Sequence, residues 1–180
     1  MRRVAVLLAA LAVAGAARAD IAWQTMRMAP GSLMVIEDED GGVVSHVARG
    51  REGGLFRFDT YEGREARVVF AGSYYTTQRG EVVREVSAGG AVTRFEPFRC
   101  ARTAGVCDYV ILHPEGFREL RRRVTLETPG GLAWKEWGLD GRIATGALEL
   151  DRIGAALSGW RRDHRSGRRI RSRRILMALR

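Results

Sequence analysis

The stretch Gly53-Gly54-Leu55-Phe56-Arg57-Phe58-Asp59-Thr60-Tyr61-Glu62-Gly63 decides the fold. Side chains alternate along an extended chain, so Phe56 and Phe58 fall on one side while Arg57 and Asp59 fall on the other. Aromatic and β-branched residues suit that half-buried pleated surface, and the glycines at either end suit turns that reverse it. Working outward, similar turn signals recur about every ten residues. Asp40-Gly41-Gly42, Arg79-Gly80, Gly89-Gly90, Pro114-Glu115-Gly116, Pro129-Gly130-Gly131 and Asp140-Gly141 are among them. Between the turns lie runs at 33–36, 43–48, 55–61, 67–77, 81–86, 92–100, 107–113, 117–128, 132–137 and 142–150. Few windows hold the helical period for long; residues 26–28 and 151–160 are the exceptions, and 151–160 reads as a short helix or a last strand.

About nine or ten sequential strands with no helix between them must bury an apolar face against one another. The expectation is an all-β antiparallel meander forming a small barrel or strongly curved sheet, with a two-sheet sandwich as the second choice.

The amino end reads as a secretory signal peptide. Met1-Arg2-Arg3 is positive, residues 4–16 are apolar, and Ala17-Arg18-Ala19 fits the small-x-small cleavage rule, leaving Asp20 first in the mature chain. Thirteen apolar residues fall short of the roughly 20 that a spanning helix needs. The product is expected to be periplasmic or secreted.

The formal charge of +9 on 180 residues invites a polyanion-binding reading. Its distribution argues otherwise. The leader carries Arg2, Arg3 and Arg18, and residues 161–180 carry nine Arg against Asp163 alone. Setting aside that +3 and +8 leaves −2 for residues 20–160. The expected organisation is therefore a leader at 1–19, one β-rich domain at 20–160, and an Arg-rich tail at 161–180. A charge block of that kind repels itself, so the tail is expected to be disordered or a short helix. Its Arg168, Arg169, Arg171, Arg173 and Arg174 are candidate contacts for an anionic envelope surface or an acidic protein. The aliphatic Ile175, Leu176, Met177 and Leu179 are placed to dip into an interface. The acidic turn Glu37-Asp38-Glu39-Asp40 is of opposite sign and could attract the tail. Nucleic acid is not an expected partner of an exported chain with an acidic body.

Cys100 and Cys107, an even pair in an exported chain, read as a disulfide across a short loop. The six-residue spacer does not suit thiol exchange. His46, His113 and His164 are scattered, which gives no metal site, and no cofactor is expected. Serine-nucleophile and phosphate-loop motifs fail, the chain's one lysine being Lys135 in Trp134-Lys135-Glu136-Trp137. Tyr74, Phe95, Tyr109, Phe117 and Trp134 are candidate ligand-lining residues. In a small barrel such side chains nearly fill the interior, so a packed interior is the first expectation and an apolar cavity the second. The functional expectation is a non-catalytic exported protein that binds a small apolar ligand or acts as an envelope-accessory protein. The alternative is a hydrolase-like enzyme using His113 and nearby carboxylates.

Overall fold

Each turn reverses the chain, and each strand then pairs with the one before it. The computed structural model describes residues 29–180 apart from 65–66, 101–103 and 152–154. Among the described residues there are twelve strands and no helix. They are β1 (Leu33–Asp38), β2 (Gly42–Glu52), β3 (Leu55–Arg64), β4 (Arg67–Thr76), β5 (Val82–Ser87) and β6 (Val92–Arg99), then β7 (Gly105–Leu112), β8 (Arg118–Thr128), β9 (Gly131–Gly138), β10 (Gly141–Leu150), β11 (Ala156–Asp163) and β12 (Arg169–Ala178). All neighbours are antiparallel, and β12 returns to pair with β1, from Leu33 opposite Ala178 to Asp38 opposite Ser172. The sheet is thus a closed barrel with no free edge.

The ten expected runs are β1 to β10. Beyond them the structure corrects the sequence reading. Residues 151–160 contribute to a strand, and β11 runs through the boundary expected at 160/161. Residues 161–180 complete β11 and form β12 in place of a disordered or short helical tail. The strand count is twelve rather than nine or ten. Two physical facts make a strand from so basic a segment. Its residues alternate, with Ile170, Ser172 and Arg174 half-buried and Arg169, Arg171 and Arg173 exposed. Acidic groups also meet it: Arg173 reaches Glu37 at 2.9 Å, Arg168 reaches Asp40 at 2.6 Å and Arg174 reaches Asp151 at 2.6 Å. The acidic turn and the basic segment do attract each other, as the two halves of the barrel seam. The expected leader at 1–19 lies outside the described residues.

The inner face carries two apolar clusters. Met34, Ala48 and Phe58 pack with Ile36, Phe56 and Tyr74, while Val82, Phe95 and Tyr109 pack with Tyr74, Ile111 and the two cysteines. Burying each large side chain contributes about 2 kcal/mol, and Tyr74 joins the clusters. Phe58 points inward, so Asp59 points to the opposite face. There it accepts hydrogen bonds from Arg49 Nε at 2.7 Å, Arg57 Nε at 2.9 Å and Ser73 Oγ at 2.7 Å, which permits burial of its charge beneath two arginines.

Candidate functional site

The inward positions of the strands surround a cavity of about 1080 Å³. Pro114 and Glu115 from the β7–β8 turn line it at one end of the barrel, and Gly80 from the β4–β5 turn and Cys100 line it at the other. It therefore runs along the barrel axis. The expectation of a filled interior is corrected by strand number: twelve strands enclose more space than their side chains occupy.

Four of the five candidate lining residues face this cavity: Tyr74, Phe95, Tyr109 and Trp134. Tyr74 stacks on Phe58 with ring centroids 5.1 Å apart, and Phe95 and Tyr109 meet at 6.2 Å. Trp134 carries the Arg123 guanidinium 4.4 Å above its ring. Phe117 does not line the cavity. It follows Gly116, whose positive φ of 89° makes the turn, and stacks on His113 at 3.8 Å while remaining 55% exposed. Trp137, three positions from Trp134, takes the other face of β9, with Arg142 5.9 Å from its ring centre.

Charged groups share the interior with the aromatics, which the sequence reading missed. Tyr109 donates its hydroxyl to Glu136 Oε1 at 3.0 Å, and Arg121 lies 3.5 Å from the same oxygen and 2.7 Å from Glu119. His113 Nε2 lies 3.3 Å from Glu119 on its far side. A continuous line thus runs His113, Glu119, Arg121, Glu136, Tyr109 across β7, β8 and β9. Burial, followed by the charge of Glu136, pushes the Tyr109 hydroxyl well above its ordinary range. Burial would raise Glu119 as well, but the hydrogen bond and charge of Arg121, with the His113 contact, more than offset it and hold Glu119 below the usual carboxylate range. The His113 and Glu119 pair therefore has a carboxylate fixed as an ion, which suits anchoring charge better than passing protons. Arg121 Nε is buried and has no hydrogen-bond acceptor among the described residues. One signal was present in the sequence: Glu119, Arg121 and Arg123 fall on one face of a strand, as do Trp134 and Glu136.

The cysteines form the expected link, with sulfurs 2.03 Å apart and Cα atoms 5.9 Å apart. The five candidate arginines divide. Arg169, Arg171 and Arg173 are exposed on β12 and Arg168 on the turn before it, whereas Arg174 is only 13% exposed, ion-paired with Asp151, and so is not a surface contact. No protein-family model, curated protein or solved structure matches this chain.

Proposed function

We propose that the barrel is an exported, non-catalytic carrier that holds one small amphipathic molecule in its interior. The observation that carries this reading is the cavity of about 1080 Å³, whose aromatic band of Phe58, Tyr74, Phe95 and Trp134 adjoins the Arg121, Glu136 and Tyr109 group. Its volume of about 1080 Å³ lies just above the usual span of small-molecule pockets, about 300–1,000 Å³. The aromatic band suits an apolar body, and Arg121 Nε, a buried donor with no acceptor among the described residues, suits a polar end group. The ligand expected from sequence was purely apolar; the charged interior favours an amphipathic one.

Export agrees with the leader-like amino end and with a disulfide, which oxidising compartments preserve. At mid-strand the outer face of β7, β8 and β9 is polar among exposed aliphatics such as Leu120 and Leu126, because Arg122 holds Asp108 through hydrogen bonds of 2.6 and 2.7 Å and Lys135 stands exposed on β9. A barrel set in lipid turns an apolar band outward instead.

The test is native mass spectrometry of protein purified from its own envelope, followed by titration of the delipidated chain with a long-chain carboxylate while Trp fluorescence is read. Co-purified mass and saturable one-to-one quenching are expected, with Arg121→Gln weakening the affinity about tenfold. A mass matching the bare oxidised chain, with no saturable quenching, would sink the carrier reading.

A further inference from the structure

The outer face of β11 and β12 is sorted along the barrel by residue type. Towards the turn joining the two strands, Arg162 stands directly opposite Arg169, and Trp160 opposite Arg171. Like charges facing each other on neighbouring strands destabilise a sheet. Arg162, Arg169 and Arg171 make no ion pair with an acidic side chain among the described residues; Arg169 instead lies 4.5 Å from the centre of the Trp160 ring. The acids nearby are engaged. Glu37 takes Arg173, Asp40 takes Arg168, Glu149 accepts the Ser158 hydroxyl, Glu39 accepts the Arg171 backbone N–H at 3.1 Å, and Asp38 accepts the N–H groups of its own turn.

Towards the opposite end, the same two strands each carry an extra residue. Val35 pairs with Leu176 and Ile36 with Arg174, which leaves Ile175 bulged. Glu149 pairs with Ser158 and Leu150 with Ala156, which leaves Leu157 bulged. Bulges re-aim side chains. Here Leu157, Ile175 and Leu176 are 42%, 49% and 48% exposed. One face therefore presents, in order, a cluster of guanidinium groups with a tryptophan, a row neutralised by the Arg173–Glu37 ion pair and the Ser158–Glu149 hydrogen bond, and a group of exposed aliphatic side chains.

We infer that this face docks the barrel on a lipid bilayer with anionic headgroups. Arg162, Arg169 and Arg171 engage phosphate oxygens, Trp160 sits at the headgroup level, and Leu157, Ile175 and Leu176 enter the acyl boundary. The positive cluster supplies charge complementarity, and the aliphatic group is what separates a membrane from a dissolved polyanion, which would leave those side chains in water. The segment expected as a loose basic tail thus acts as a rigid, pre-shaped surface.

The experiment is vesicle co-sedimentation. Residues 33–178 make the whole barrel, so the chain from Asp20 is used, which keeps the apolar leader out of the measurement. Phosphatidylcholine vesicles are compared with vesicles that also contain phosphatidylglycerol. Sedimentation with the anionic vesicles alone is expected, and Arg162→Gln/Arg169→Gln/Arg171→Gln lowers the partition coefficient about 100-fold. The corresponding triple lysine variant retains binding, and Ile175→Ser/Leu176→Ser weakens it with every charge in place, so a folding failure in one variant leaves the others to decide. Equal binding to both vesicle types, an unchanged glutamine variant, or binding to heparin without binding to vesicles would overturn the inference.

Discussion

At Asp59 three donors converge on one carboxylate, and its titration follows from them. Burial pushes the group up, but the hydrogen bonds from Ser73, Arg49 and Arg57 outweigh it and hold it below 3.8. A carboxylate depressed in the folded state adds stability above its unfolded value, and that stability is lost as pH falls from there through the folded value. Asp59→Asn should therefore cost about 2 kcal/mol at neutral pH, with the gap from the parent chain closing below about pH 4. Urea titrations across that range read both effects. Gly146 makes a different residue-scale prediction: a Cβ there would stand 2.5 Å from the Trp134 ring and 2.7 Å from the Trp160 carbonyl oxygen. Gly146→Ala should cost about 1–3 kcal/mol and shift Trp fluorescence as the ring leaves its floor. At this scale the sequence was half legible. The inward positions of Phe58 and Trp134 follow from alternation, but the meeting of Arg121 with Glu136 depends on the register of β8 against β9, which no single strand encodes.

The hairpin of β6 and β7 is the thinnest pairing in the sheet. Its ladder runs from Arg94 opposite Leu112 to Glu96 opposite Val110 and stops where Pro97 has no N–H to give. The Cys100 to Cys107 link ties the hairpin beyond that point. Its reduction should lower stability by about 2–3 kcal/mol, and amide exchange should quicken first in β6 and β7. The last strand offers the sharper contrast. Removing residues 169–180 would be harmless for a loose tail; for β12 it strips a neighbour from both β1 and β11, and the shortened chain should aggregate in size-exclusion runs. Strand β12 escaped the sequence reading because nine arginines in twenty residues look like a self-repelling block. What reverses that reading is long-range: Glu37 and Asp40 stand more than a hundred residues away in the chain.

For the molecule as a whole, the strand count sets the interior. A reading that ends at Trp160 gives a narrower barrel with its side chains packed together; twelve strands give a cavity. The meander with its glycine turns was legible from the Phe56 to Gly63 pattern, while the hollow was not, because it depends on the two strands that composition disguised. The two ends of the described barrel also meet, Arg180 donating its backbone N–H to Ser32 Oγ at 3.1 Å. A permuted chain that joins them by a short linker and begins at the exposed Leu139 and Asp140 turn should keep the fold and its ligand affinity. Near-UV circular dichroism and the fluorescence titration would show it, and loss of both would contradict the up-and-down topology.

The seam between β1 and β12 also sets a timetable. A chain delivered amino end first, from a ribosome or through an export channel, presents β1 ahead of every other strand and its second neighbour, β12, after all of them. Until then β1 and β11 lack the neighbour that joins them in this barrel. The barrel is therefore held incomplete until eleven strands have emerged, and the basic twelfth strand is the latch that ends the wait.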